Sequence, residues 1–278
     1  MSNTGEKYNE KELTNLLKVL RVPAIITREH AWANFEAQLN IKKVATKRSL
    51  NRLVYAIAAG IALFIGISSW IFIMGDTKVW CPPAQMVTIE LPDGSQVNLN
   101  AASTIKFNKK NWSKNRRVQL EGEAFFRVMK GSKFEVITET GKVTVLGTTF
   151  NVFSRNNCLE VYCETGKVAV MSGNSVLLKP GMKAQTSKGS TVRITKAEQE
   201  HEGKWQQGDF WFNNAPLTDV IAEMERQFDV TIKYNGLSGR FYHGYFSRRS
   251  LTQALHFVLD PMQLKFKVEK KTIQIINK

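Results

Sequence analysis

Cysteine is nearly missing: Cys81, Cys158 and Cys163 are the three in 278 residues, too few and too odd in number to frame a disulfide-built secreted domain. They read as packing residues, and the five-residue separation of Cys158 and Cys163 in one apparent strand points them to opposite faces. Histidine is equally sparse. His30, His201, His243 and His256 match no metal spacing such as His-Glu-x-x-His, and no phosphate-binding loop is present. Neither a metal, a cofactor nor a turnover enzyme is expected. The glycines of the repeated turns, Gly94, Gly141 and Gly166, fit left-handed positions between strands.

Acidic charge is the minority sign everywhere. The formal charge is +15. Residues 1–52 carry ten Lys/Arg against five Asp/Glu, and residues 75–278 carry 29 against 19. Charge is absent altogether from Leu53 to Met74. As a helix that run would reach about 33 Å, against a hydrocarbon core of about 30 Å. Lys42, Lys43, Lys47, Arg48 and Arg52 precede it, so the positive-inside rule puts the N-terminus in the cytoplasm. The run begins too far from Met1 and is too long for a cleaved secretory signal. The expectation is a single-pass inner-membrane protein with its C-terminus in the periplasm.

Ahead of the run, Leu13, Leu16, Leu17 and Leu20 recur at i, i+3, i+4 and i+7, one stripe on a short helix ended near Pro23. Thr27 suits the N-cap of a second helix on which Trp32, Phe35 and Leu39 share a face. Some fifty residues bury too little for a core of their own, so these stripes cover each other, dimerise or dock on a partner.

After the run, from about Met86 to Ile194, apolar residues alternate with polar ones, and turn pairs such as Asp93-Gly94 and Ser172-Gly173 separate the runs. This predicts an all-β module over 85–195. It contains an internal echo: Glu139 to Val145 reads ETGKVTV and Glu164 to Val170 reads ETGKVAV, as stacked or sandwiched hairpins would give. Lys109, Lys110, Lys114, Arg116 and Arg117, with Trp112 among them, form the densest basic patch. It reads first as a solvated loop, with a lipid, glycan or acidic receptor contact as the alternative. Direct nucleic-acid binding is not expected.

The polar stretch Lys196 to Lys204 reads as a linker. Beyond it, Leu217, Val220, Ile221, Met224 and Phe228 mark one helix face, and the strand Val230 to Tyr234 follows. The order recurs 34 residues on, with Leu251, Ala254, Leu255, Val258 and Met262 and then Leu264 and Phe266. A small α/β domain over 205–278, a doubled β-α-β unit, is expected. The fold class is therefore a multi-domain membrane protein: a short α-helical cytoplasmic segment (1–52), one transmembrane helix (53–74), an all-β periplasmic domain and this α/β C-terminal domain.

Four motifs stand in order: Leu91-Pro92-Asp93-Gly94-Ser95, Leu99-Asn100-Ala101, Leu120-Glu121-Gly122-Glu123-Ala124-Phe125-Phe126 and Val145-Leu146-Gly147-Thr148-Thr149-Phe150-Asn151-Val152. With them the chain resembles, over roughly 85–278, the FecR-like family of transmembrane anti-sigma regulators. Its last 75 or so residues are similar to the short domain of secretins and TonB-dependent receptors. The resemblance implies a relay in which a TonB-dependent outer-membrane receptor contacts the C-terminal module and the cytoplasmic segment releases an extracytoplasmic-function sigma factor. On that implication Leu13, Leu16, Leu17, Leu20, Trp32, Phe35 and Leu39 are the sigma-binding residues. An envelope scaffold that binds a receptor or glycan without touching transcription is the alternative. The resemblance also implies a candidate self-cleavage bond, Gly147–Thr148, where the threonine hydroxyl would attack the preceding carbonyl. Against it stands a bulge glycine with Thr148 packed in the strand.

Overall fold

The computed structural model describes residues 11, 14, 15, 27–39, 48–198 and 200–276. Contacts divide the chain into two compact units, Met1–Ser68 and Ser69–Lys278, and each is described by itself.

In the first unit, helix α1 (Arg28–Leu39) starts directly after Thr27, whose carbonyl accepts the Ala31 N–H at 3.0 Å. Helix α2 (Arg48–Met74) follows. All side chains described on it, those of residues 53–68, are exposed. Among the described residues no helix is long and apolar enough to cross a membrane. The expected transmembrane element, and with it the expected fold class, is corrected accordingly. The expectation had rested on the uncharged length of the run, Leu53 to Met74, alone.

The second unit is mostly β. Thirteen strands form one nearly closed ladder built from two sheets that share a strand. The first sheet runs in the order β1 (Thr77–Cys81), β4 (Ser103–Phe107), β5 (Arg116–Arg127), β6 (Phe134–Ile137), β7 (Lys142–Val145), β10 (Val168–Ser172) and β11 (Asn174–Leu178). The second runs β2 (Val87–Glu90), β3 (Gln96–Leu99), β5, β8 (Thr149–Arg155), β9 (Cys158–Cys163), β12 (Met182–Ser187) and β13 (Arg193–Lys196). Strand β5 serves both: Arg116–Gln119 pairs with β6 and Gly122–Arg127 with β8. The change of sheet falls at Gly122, whose φ is +108° and where a Cβ would stand 2.4 Å from Ser103 Oγ. Only glycine turns this corner.

Between the sheets lies an apolar core that includes Phe126, Phe134 and Phe150. Phe126 and Phe150 stack at 5.0 Å. The echoed segments are now explained in space. Strands β7 and β10 are antiparallel neighbours, with Val143 opposite Val170, so a repeated sequence solves the same packing problem twice. The three cysteines are free. Burial first, with Glu160 adding to it, pushes the Cys158 thiol up to about 11, and burial does the same at Cys163; both stay protonated and behave as small apolar groups.

The stretch expected to be a linker is pinned down. Ala197 donates its N–H to the Gly181 carbonyl, Lys183 Nζ bridges Glu160 and Glu202 at 2.8 and 3.1 Å, and a 3-10 turn, Lys204–Gln207, buries Trp205. Composition alone reads such a stretch as polar loop because its contacts are ion pairs rather than apolar ones.

Next come β14 (Asp209–Pro216), α3 (Leu217–Phe228), β15 (Thr231–Lys233), β16 (Phe241–Ser247), α4 (Leu251–Leu259), β17 (Lys265–Glu269) and β18 (Thr272–Ile276). The first strands of the two β-α-β copies pair with each other, β14 with β16. The second strands, β15 and β17, do not; each flanks the added strand β18, parallel and antiparallel respectively. The copies are thus interleaved across two small sheets. Leu217, Val220, Ile221 and Met224 of α3 and Ala254, Leu255 and Val258 of α4 fill one core. Ser250 caps α4 by accepting the Gln253 N–H.

Candidate functional site

The polar residues of three sequence motifs meet at one place, where Gln227 of α3 reaches the end of β3. Asn100 follows β3, Glu123 lies just past the β5 corner, and Asn151 sits in β8. Glu123 Oε2 accepts from Asn100 Nδ2 and Oε1 from Asn151 Nδ2, both at 2.8 Å. The C-terminal module completes the set. Gln227 Nε2 donates to Asn100 Oδ1 at 2.8 Å and to Glu223 Oε1 at 2.7 Å, and Trp205 Nε1 donates to Asn151 Oδ1 at 3.1 Å. Arg226 in turn holds Glu223 Oε2 at 2.6 Å, and its carbonyl accepts the Ala84 N–H at 2.8 Å.

Strand alternation explains why these residues can build a joint. Beyond the corner, Phe126 points into the core between the sheets, whereas its neighbour Phe125 belongs to the core of the C-terminal module. One strand therefore feeds two cores, and Glu123 shares the face of Phe125. It is 8 % exposed. Burial first and the nearby Glu223 second raise its carboxyl to about 7, against the pull of the two asparagine amides and Arg155. The arrangement can hold or release a proton at a joint between modules. Sequence reading missed this site; the signal that could have found it was a set of polar residues, Asn100, Glu123 and Asn151, each embedded in an apolar run.

The predicted site residues fare differently. Leu13, Leu16, Leu17 and Leu20 lie outside the described residues. Trp32 and Phe35 sit together on α1, ring centres 5.7 Å apart, 62 % and 51 % exposed. Leu39 is the last residue of that helix, and its side chain is outside the described set. Gly147 has a φ of +154°, and a Cβ there would lie 2.7 Å from Lys130 Cα. Thr148 is buried, and its Oγ1 donates to the Lys167 carbonyl at 3.1 Å, so the hydroxyl proton is already committed to a neighbouring strand end.

The basic patch of 109–117 divides in two. Arg116 is buried and paired with Asp93 of the Asp93-Gly94-Ser95 turn, and Arg117 bonds Glu135 Oε2 at 2.7 Å. Lys109, Lys110 and Lys114 stay exposed. Among the described residues no cluster of His, Cys, Asp or Glu could hold a metal.

Comparison with known proteins bears on this geometry. The family model described as FecR protein matches residues 77–169, and the one described as FecR, C-terminal matches 209–275. Two crystal structures of a candidate anti-sigma factor from Parabacteroides distasonis, at 2.50 and 1.65 Å resolution, are similar in fold. Their TM-scores are 0.69 and 0.68 at 27 % identity, and the match covers 73 % of this chain and 100 % and 99 % of theirs. Among curated proteins none matches.

Proposed function

Because the chain belongs to the FecR family, we propose that it is an anti-sigma factor, a regulator rather than a catalyst. Anchored at the inner membrane, it takes a signal from a TonB-dependent outer-membrane receptor and passes it to an extracytoplasmic-function sigma factor. The observation that carries this reading is the joint. Three family motifs converge on Glu123, and a different module completes the network, an arrangement suited to sensing whether that module is engaged.

In this reading the segment ahead of α2 binds the sigma factor, with Trp32 and Phe35 as anchors alongside Leu13, Leu16, Leu17, Leu20 and Leu39. Exposed aromatic pairs at helical spacing are the usual hot spots of helix docking. The C-terminal module meets the receptor through the open edge of β17, by strand addition. The Gly147–Thr148 bond acts as a structural turn. A denaturing gel of the purified protein should show one band, and two fragments lost on Thr148→Ala would restore the cleavage reading.

The reading is tested by co-purification of the full chain with a co-encoded sigma factor. Retention by the wild type and at least tenfold weaker retention by the Trp32→Ala, Phe35→Ala double variant are expected, an effect of about 1.4 kcal/mol or more. Deleting residues 1–52 discriminates a regulator from an envelope scaffold, because only a regulator changes target-gene expression when they are lost.

A further inference from the structure

Among the described residues, β11 (Asn174–Leu178) has β10 as its single ladder neighbour, so its outer edge presents unpaired backbone N–H and C=O groups. One end of the strand is held in place, where Asn174 Oδ1 accepts the Val192 N–H at 2.7 Å. Asn174, Ser175 and Leu177 are exposed along it.

The other edges of the second unit are guarded. Folded proteins keep an open edge from pairing by placing charge, proline or a bulge on it. Lys78 stands on β1, Glu90 on β2, Arg193 and Lys196 on β13, Lys233 on β15, and Lys265, Lys267 and Glu269 on β17, all exposed. The β14–β16 ladder is interrupted between Phe212 and Ala215 and carries Pro216. Strand β11 reads Asn-Ser-Val-Leu-Leu, with no charge, no proline and an unbroken register against β10.

This unguarded edge also carries apolar surface. Leu177 is 54 % exposed and Met171 of β10 is 47 % exposed. Alternation turns Val176 and Leu178 toward the core, opposite Val170 and Val168, and leaves Ser175 and Leu177 on the outer face, opposite Met171 and Ala169. A single exposed leucine is ordinary. Two rungs that set large beside small in opposite order, Met171 with Ser175 and Ala169 with Leu177, form a pattern that can fit itself.

A two-fold axis through Val176 makes that fit. Isologous pairing sets residue i against j and j against i, so antiparallel addition of β11 from a second copy puts each Leu177 beside Ser175 of that copy. Across the join one rung then runs Met171, Ser175, Leu177, Ala169 and the other runs in reverse, large and small alternating over four strands. The two leucines become diagonal neighbours, about 7–8 Å apart and within reach of each other. On β17 the equivalent axis, through Phe266, sets Lys265 against Lys267, like charges directly opposed. A strongly charged partner finds no complement on β11, whereas a second copy meets only its own uncharged edge.

We propose that the protein self-associates through β11, two copies joining their first sheets edge to edge into one continuous antiparallel sheet. The surface is separate from the β17 edge and from residues 1–52, so the proposal does not depend on the partners proposed above. So short an edge makes a small interface, at the weak end of specific association, and a dissociation constant of about 10–100 µM is expected.

The test uses the full chain over about 1–300 µM, read by sedimentation velocity and by amide hydrogen exchange. Exchange over 174–178 should be at least about fivefold slower at the top of that range. Leu177→Lys gives β11 the guard that other edges carry and should weaken dimerisation by about tenfold or more. Ser175→Glu combined with Leu177→Lys sets Glu against Lys on both rungs and should restore dimerisation to within about threefold of wild type. That rescue should be lost in about 1 M salt, where the screening length is about 3 Å. Both positions face solvent in a single copy, so the unfolding temperature should stay within about 2 °C of wild type. Exchange over 174–178 that is independent of concentration overturns the proposal, even if the chain associates elsewhere. Dimerisation unchanged by Leu177→Lys moves the contact to another surface and overturns it too. Loss in the single variant without rescue in the double one overturns the two-fold fit.

Discussion

Glu123 and Glu135 belong to the same β domain and are both nearly out of reach of solvent, 8 % and 2 % exposed, yet their surroundings push them in opposite directions. Glu135 sits among cations. The Arg117 guanidinium, helped by Lys133, outweighs burial and holds its carboxyl down at about 2. Glu123 has asparagine amides as its direct partners, and burial with Glu223 nearby lifts it to about 7. The first carboxylate is satisfied within its own sheet neighbourhood, while the network around the second is closed by Trp205, Glu223 and Gln227 of the following segment. One is a finished structural fixture; the other is a joint whose energy depends on two modules staying together.

Breaking the joint should have the largest effect. Trp205→Ala removes a buried indole and its bond to Asn151, and should cost about 3–5 kcal/mol in urea denaturation. Exchange should rise over 209–276 well before it rises over 134–145. Uniform loosening of both regions would mean that the two sites are not separable.

Titration comes next. An unfolded glutamate ionises near 4.5 and folded Glu123 near 7, so between those values the folded state holds an extra proton. Its contribution is complete below about pH 4.5 and is withdrawn as pH rises through 7, a loss of about 3 kcal/mol. Glu123→Gln cannot titrate, so the difference between the two unfolding curves should shrink as pH rises across that window. A pH-independent difference would mean the site does not bind a proton. The variant itself should cost about 1–3 kcal/mol at low pH, because one asparagine amide then faces another donor.

Gly147→Ala tests a part of the domain remote in role from either carboxylate. The methyl would stand 2.7 Å from Lys130 Cα in a backbone glycine favours, and the expected cost is about 1–3 kcal/mol by thermal unfolding. A fully stable alanine variant would show that the turn relaxes.

Glu135→Gln should have the smallest effect, about 1 kcal/mol, because Arg117 is half exposed and solvent screens the pair. Its pH dependence has the reverse sign to that of Glu123. The stabilisation is present above about pH 4.5 and disappears as pH falls toward 2. Wild type and variant should therefore converge in acid, and a constant gap between them would assign the stabilisation to packing.

Much of the β domain could be read in advance because its signals are local. Alternation along the strands, the Asp93-Gly94-Ser95 turn and the ETGKV echo each depend on residues a few positions apart. The inward faces of α3 and α4 were legible for the same reason. The joint was not, because Asn100, Glu123 and Asn151 are far apart in sequence and look, one at a time, like polar residues misplaced in strands. The 196–204 stretch failed similarly: Lys183 and Glu202 form a partly buried pair that no composition window can see. The apolar run was read by its uncharged length, and among the described residues no helix is long and apolar enough to cross a membrane.

By itself the sequence determined where most strands and helices form and which face of each is apolar, since period and turn chemistry act within a few residues. Tertiary structure alone decided that β5 would serve two sheets and two cores, that the β-α-β copies would interleave, and that Glu123 would keep a proton near neutral pH. Those outcomes depend on desolvation and on partners brought from distant parts of the chain, and neither exists until the chain has folded.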